Sequence, residues 1–253
     1  MIVSIAQTQL FLLAITRVLA ILVQVPVFGS AVIPNQMKIG LGVFITIIII
    51  PWNPIPADAA AIPWLGFVGL VLRELLIGFM AGFAAALTFG AFQMAGKLID
   101  MSSGFGAGQV FNPALSEAGG TLDQFFVLVV MLYFLLTNGH HIFLMGLKDT
   151  FTLLPLNQPL PELNPEAFLR LSSGLITSGV QIALPVVGAL FLTDLTLGLL
   201  SKVAPQIRVF FLGLPIKVWV GIFALSLLFG LIGPSLDRAF KNMGPRMLQI
   251  LGT

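Results

Sequence analysis

The side chains that could carry chemistry in this chain are ionisable residues inside long apolar stretches. They are Arg17, Arg73, Glu74, Asp194 and Lys217. An unpaired charge at such a position costs on the order of a few kcal/mol or more. We therefore expect both carboxylates to lie within salt-bridge reach of these basic residues or of a partner's basic group, as buried charges that serve as assembly contacts.

Each carboxylate also leads a row of small residues on one helical face. Glu74 is followed by Gly78 and Ala85, and Asp194 is followed by Gly198. Gly78 begins a small-xxx-small pattern, which lets two helix backbones approach closely. These rows predict tight helix packing beside the charges.

The adjacent pair His140 and His141 suggests a metal site, yet no Glu or third ligand stands at helical spacing from it. The chain has no cysteine, which excludes disulfides, thiolate metal sites and thiol nucleophiles. The sequence shows no nucleophile, base or metal cluster that would form a catalytic site. We expect neither enzymatic activity nor a cofactor or metal.

The elements that must position these residues are apolar helices. The chain has 253 residues, of which 58% are hydrophobic and 9% charged, and a mean hydropathy of +1.05. This composition predicts an all-α integral membrane protein or part of a membrane assembly. Because a spanning helix needs about 20 apolar residues, six segments qualify, several of them kinked or interrupted. They are 6–28, 38–52, 64–95, 122–147, 166–200 and 207–233.

The sequence leaves two points of this arrangement open, the orientation in the membrane and the contact of the tail. Lysine and arginine in the loops divide four against five between the two sides, so orientation is undecided. Asn138 and Gly139 predict a break of the fourth segment into two half-helices. The tail at 235–251 is a basic amphipathic helix, which either lies on anionic lipid or docks on a partner. Since Arg17 lies inside the first apolar run, we expect no cleavable signal peptide.

Several motifs together resemble the FliR family of flagellar export-gate proteins. In order they are RELLIG at 73–78, AGKLID at 95–100, GFG at 104–106, NGHH at 138–141, DxxxG at 194–198 and PQIRVFFLGLPIK at 205–217. The resemblance covers nearly the whole chain, and the last motif is the most specific. Lys97 departs from the family, which more often has a glutamine there.

The resemblance implies a subunit of the flagellar type III protein export gate in the bacterial inner (cytoplasmic) membrane at the flagellar basal body. It implies a helical, pore-forming assembly with FliP-type and FliQ-type subunits, contact with FlhB-type and FlhA-type components and membrane lipid, and passage of unfolded exported proteins. The resemblance implies no nucleic-acid partner. The single export-gate domain, 1–253, would comprise a FliP-like part at 1–180 and a FliQ-like hairpin with the amphipathic tail at 181–253.

The resemblance also assigns two functional stretches. A central loop at about 104–120 inserts into the lumen and plugs the closed gate, and its glycines let it move when substrate arrives. Its residues are Gly104, Phe105, Gly106, Gly108, Phe111, Asn112 and Pro113. A subunit-docking motif contains Pro205, Gln206 and Pro215.

Two other functions stay open at this point. Discontinuous helices with charges near mid-membrane are also typical of a small-molecule secondary transporter, although the chain shows no evident repeat between two halves. The equivalent subunit of a virulence type III secretion system would share the motifs. Uptake by the reconstituted chain would favour the transporter.

Overall fold

The computed structural model of the protein describes residues 5–49, 62–104, 120–156, 165–206 and 209–252, and the regular structure in these ranges is α-helical. The all-α prediction is confirmed. The helices are α1 (Ile5–Leu22), α2 (Pro26–Gly29), α3 (Asn35–Ile49), α4 (Trp64–Ser103), α5 (Thr121–Leu136), α6 (Gly139–Leu153), α7 (Pro165–Val203), α8 (Val209–Leu231), α9 (Gly233–Lys241) and α10 (Met243–Gln249).

The helices form two compact units. The first contains residues 1–88, 138–171 and 240–253, and the second contains residues 89–137 and 172–239. The expected parts at 1–180 and 181–253 concern likeness to other subunits rather than compactness, and that division stays a prediction.

In the first unit α1 packs on α3, and α6 packs on α10. The core side chains Leu13, Ile21 and Leu147 are completely buried. Phe28 stacks on Phe143 with ring centroids 5.4 Å apart. This packing surrounds the charged residues of α1 and α4 with apolar groups.

In the second unit the end of α4 lies close against α5. A Cβ atom added to Gly96 would lie 3.0 Å from the Cβ atom of Phe126, so only glycine fits this approach without a shift of its neighbour. Phe89 and Phe134 make an edge-to-face contact with ring centroids 5.1 Å apart. The two ends of the 104–120 loop therefore leave from helices that are packed together.

In the described part of the chain, fewer helices than the six predicted segments are long enough to cross a membrane. Among the described residues four qualify, namely Ile5–Leu22, Trp64–Ser103, Pro165–Val203 and Phe211–Leu231. α3 has 15 residues and is about 22 Å long, short of the hydrocarbon core of about 30 Å. α5 and α6 meet at a 75° bend and would together make a fifth, broken span.

The predicted break at Asn138 is confirmed. Asn138 adopts a left-handed backbone with φ 58°, a conformation that asparagine tolerates better than most residues. α5 ends at Leu136, and the chain passes through Thr137 and Asn138 into α6.

The apolar side of the tail is buried by the chain itself. Leu236, Phe240, Met243, Met247 and Ile250 are each at most 1% exposed. α10 packs on α6. In the structure this face is therefore covered, and it offers no surface to lipid or to a partner.

Candidate functional site

A buried ion cluster joins α1 to α4. Arg17 Nε lies 2.5 Å from Glu74 Oε2, and Arg73 Nη1 lies 2.5 Å from Glu74 Oε1. The side chains of Arg17 and Glu74 are 0% exposed, and that of Arg73 is 6% exposed. Adjacent residues on a helix normally point apart, but here the two oxygens of one carboxylate serve the two arginines separately.

The end of α6 completes the cluster with backbone carbonyls. Arg17 Nη1 donates to the Thr150 carbonyl at 2.8 Å. Arg73 donates to the carbonyls of Pro155 at 3.3 Å and Leu156 at 3.2 Å, which follow the helix. Because a helix C-terminus carries a partial negative charge and unsatisfied carbonyls, it offsets the second arginine.

An aromatic ring covers part of the cation of Arg17. The guanidinium carbon lies 4.4 Å from the centre of the Phe151 ring, a cation–π geometry. Arg17 Nη2 is buried, and no hydrogen-bond partner for it occurs in the described ranges. Arg17 of α1 thus bonds to Glu74 of α4 and to the end of α6, so the cluster links these three helices.

Beside the cluster α1 and α4 approach so closely that only a glycine fits. A Cβ atom at Gly78 would lie 2.6 Å from Ala20 Cβ and 2.8 Å from the Arg17 carbonyl oxygen. Gln24 Nε2 donates to the carbonyls of Ala20 at 2.9 Å and Phe79 at 3.0 Å. The small-residue pattern predicted at Gly78 is therefore a real helix contact.

The second predicted pair lies between α7 and α8. Lys217 Nζ is 3.0 Å from each carboxylate oxygen of Asp194. The pairing expected for both carboxylates is confirmed. However, 52% of the Asp194 side chain is exposed, since the outer faces of α7 and α8 are left uncovered. Arg17, Arg73 and Glu74 are thus buried within the chain, as predicted, but Asp194 is not. That these residues and Lys217 are assembly contacts stays a prediction.

The proposed docking motif is exposed where the structure describes it. Pro205 and Gln206 lie in the turn after α7, and Pro215 lies within α8; all three are exposed. Residues 207–208 lie outside the described ranges. Within the described ranges, no part of the chain covers these three side chains.

The predicted plug loop is described only at its ends. Gly104 ends the helical stretch with φ 80°, a conformation suited to glycine. Phe105, Gly106, Gly108, Phe111, Asn112 and Pro113 lie outside the described residues. After the loop, Gly120 precedes α5.

A contact between the two ends of this loop was not predicted from the sequence. Asp100 Oδ1, in the last turns of α4, accepts a hydrogen bond from the Leu122 backbone N–H at 3.1 Å. Asp100 belongs to the AGKLID motif, but no role had been assigned to it. The available signal was a lone carboxylate on the face of α4 that also carries the buried residues Gly96 and Ser103.

The histidine pair lies at the start of α6, where the two imidazole centroids are 4.5 Å apart. Within the part of the chain that the structure describes, no group of three or more His, Cys, Asp or Glu residues could hold a metal ion.

Helices that are long and apolar enough to cross a membrane, tied together by buried charges, define an all-α membrane protein. The chain belongs to the family of bacterial export proteins, family 1, which matches residues 8–243. It is similar to the flagellar biosynthetic protein FliR of Pectobacterium carotovorum subsp. carotovorum, with 35% identity over 93% of this chain and 90% of the relative. The FliR proteins of Escherichia coli (strain K12), 31% identical over 93% of this chain and 90% of theirs, and Aquifex aeolicus (strain VF5), 31% over 91% and 89%, are also similar.

These relatives carry one name, and the similarity spans almost the whole chain. The protein is therefore a membrane component of flagellar biosynthesis and protein export, and it works within the flagellar export apparatus. Its family is one of transport subunits.

Proposed function

We propose that this chain is the subunit of the flagellar type III export gate that forms, with FliP-type and FliQ-type subunits, the channel for unfolded flagellar proteins across the bacterial inner membrane. FlhB-type and FlhA-type components are its further partners. The proposal includes the FliP-like part at 1–180, the FliQ-like part at 181–253 and a loop at about 104–120 that plugs the closed channel.

The observation that carries the proposal is how the buried charges are used. Arg17, Glu74 and Arg73 bond to each other and to the carbonyl groups at the end of α6. A transport site for small molecules needs polar groups that a substrate can reach. Charges engaged in this way fix helix positions, as a structural gate subunit requires.

The surfaces of α7 and α8 support assembly with other subunits. Trp219 is 76% exposed, Phe223 66% and Phe191 64%. Exposed apolar areas on this scale are covered by lipid or by protein. The half-exposed Asp194 and its partner Lys217 lie on the same two helices, and charges of this kind favour a protein neighbour over lipid.

Co-purification tests the assembly. The chain, expressed with FliP-type and FliQ-type subunits of the same bacterium, should purify as a stoichiometric membrane complex and be poorly stable alone. It should also restore swimming to a strain that lacks its own FliR protein. A stable, monodisperse chain that catalyses substrate-dependent uptake by itself in proteoliposomes would instead establish the transporter.

Deletion of residues 106–117 tests the plug. The assembled complex should then leak ions or a small dye, while the yield of complex is unchanged. Permeability equal to that of the complete chain would refute the plug.

A further inference from the structure

The outer face of the tail is polar and basic. Along α9 and α10 the exposed side chains recur at helical spacing, on the side opposite the buried apolar residues of the tail. They are Pro234, Arg238, Lys241, Asn242, Pro245 and Gln249. Arg246 lies beside this row and is half-buried. The exposed row together with Arg246 is here called the basic face.

The positive charge of the basic face is not paired within the described chain. Asp237 is the single acidic residue at 235–253, and it is bonded to α5, because the Tyr133 hydroxyl donates to its Oδ1 at 2.9 Å. None of the ion pairs that the structure describes contains Arg238 or Lys241. The basic face therefore presents its charge to whatever lies beside it.

The position of α9 in the chain places this face at the level of a membrane surface. The stretch Phe211–Leu231 of α8 is long and apolar enough to cross a membrane, and α9 begins at Gly233. Because only Ile232 separates the two helices, α9 starts where α8 would leave the hydrocarbon core. Short basic segments directly beside a span are attracted to anionic headgroups.

The apolar face of the tail does not take part in this attraction. An amphipathic helix that lies on a membrane inserts its apolar side chains below the headgroups. Here Leu236 and Phe240 of α9 are each 1% exposed, and Met243 and Met247 of α10 are 0% exposed. α10 packs on α6. The tail thus turns its apolar side to the protein, and only its charges remain for a membrane.

We infer that the basic face is a docking surface for the headgroups of anionic phospholipids, which it binds by charge while the apolar face of the tail stays on the protein. A lysine or arginine near an anionic leaflet contributes about fivefold to the attraction. Phosphate oxygens are also good acceptors for a guanidinium group. An acidic protein surface would fit the same charges, but the start of α9 at the end of a span favours lipid. The inference does not depend on the export gate.

The test measures which lipid lies beside the tail of the full chain. The chain has no cysteine, so Asn242→Cys provides one site for a fluorophore next to Lys241. The labelled chain is reconstituted in phosphatidylcholine vesicles with a small fraction of phosphatidylglycerol or phosphatidylcholine that carries a nitroxide at a shallow acyl position. Quenching of the fluorophore by the two lipids gives their relative association with the tail.

Three variants are compared in this background. Arg238→Gln with Lys241→Gln removes both exposed charges, and Arg238→Lys with Lys241→Arg keeps them. Lys202→Gln is the matched control, because it removes an exposed cation from the last turn of α7, at the other end of α8. Melting temperatures should be equal in all three, since the substituted side chains are exposed.

We expect phosphatidylglycerol to be favoured about fivefold over phosphatidylcholine in the unmodified chain. The preference should vanish in the double glutamine variant and in high salt, which screens exposed charges. The charge-keeping variant and Lys202→Gln should retain it.

Three results would overturn the inference. The first is equal quenching by both lipids in the unmodified chain, or loss of the preference in the charge-keeping variant. The second is stronger quenching by a nitroxide deep in the acyl chains than by a shallow one, because the tail would then insert its apolar face. The third is an unchanged lipid preference in the double glutamine variant together with lost co-purification of partner subunits, which would assign the basic face to an acidic protein.

Discussion

Arg17 Nε and Glu74 Oε2 lie 2.5 Å apart with neither side chain exposed, and this pair joins two helices whose residues are 57 positions apart in the chain. Arg73 shares the same carboxylate. Removing one member of a buried ion pair leaves the other charge uncompensated, which costs far more than the pair contributes when intact. The cluster therefore makes the placement of α1 and α4 sensitive to single substitutions.

Glu74→Gln should destabilise the chain strongly. The change leaves Arg17 and Arg73 beside each other without a carboxylate, and the expected loss is about 3–5 kcal/mol. Thermal unfolding in detergent and the yield of assembled complex measure it. Glu166→Gln, at an exposed position in the first turn of α7, is the control and should change neither quantity. Equal behaviour of the two variants would contradict the structural role of the cluster.

Gly78→Ala should separate α1 from α4. The added Cβ atom would lie 2.8 Å from the Arg17 carbonyl oxygen and 2.6 Å from Ala20 Cβ, and overpacking of this kind costs about 1–3 kcal/mol. Gly69→Ala on the same helix is the matched control, because a Cβ atom there meets nothing within 4 Å. That control should be neutral or slightly stabilising, since alanine favours helix. The melting temperatures of both variants, measured side by side, decide between these outcomes.

Asp194→Asn should weaken assembly more than folding. The Asp194 side chain is 52% exposed and that of Lys217 20%, and ion pairs open to solvent contribute about 0–1 kcal/mol. Exchanging the two charges, Asp194→Lys with Lys217→Asp, rebuilds the pair inside the chain but reverses its polarity toward a neighbour. We expect neither variant to bind the partner subunits normally in a pull-down, whereas Lys202→Gln, an exposed cation of α7, should bind. Normal binding of the exchanged variant would mean that the pair serves only this chain.

Gly146→Val should release the tail. A Cβ atom at Gly146 would lie 2.9 Å from Gly244 Cα, so the larger side chain would push α10 off α6. Limited trypsin digestion should then cut faster after Lys241 and Arg246. Gly174→Val serves as the control, because its Cβ position is open. Burial lowers the pKa of Arg246, which is consistent with a docked tail. Unchanged cleavage would show that this glycine contact does not hold the tail.

The sequence allowed part of this site to be predicted because the cost of an unpaired charge in an apolar helix is local information. It identified Glu74 as needing a cation and Gly78 as a packing residue, and it placed the helix break at Asn138. The partners of the arginines at the end of α6 are backbone carbonyls, which every residue possesses, so no side-chain pattern marks them. The role of Asp100 depends on the approach of Leu122, which only the fold determines.

The count of spans could not be predicted for a similar reason. Hydropathy measures apolar content but not helix length or bending. It therefore does not distinguish the short α3, or the pair α5 and α6 bent by 75°, from ordinary spans. Exposure of Asp194 likewise depends on which neighbours cover α7 and α8. The sequence leaves the contact of the tail open between anionic lipid and a partner, because the amphipathic pattern is the same whether its apolar face meets lipid or α6.

The ion cluster also affects when the first helix can insert into the membrane during synthesis. Arg17 is made 57 residues before Glu74 and 133 residues before Thr150. At a synthesis rate of about 5–20 residues per second, the carboxylate partner is made about 3–11 s after the arginine, and the carbonyl partner about 7–27 s after it. An arginine alone in an apolar helix is costly in lipid. The first helix is therefore expected to stay beside the insertion machinery or at the headgroups until α4 has been made. We expect it to insert fully only together with α4.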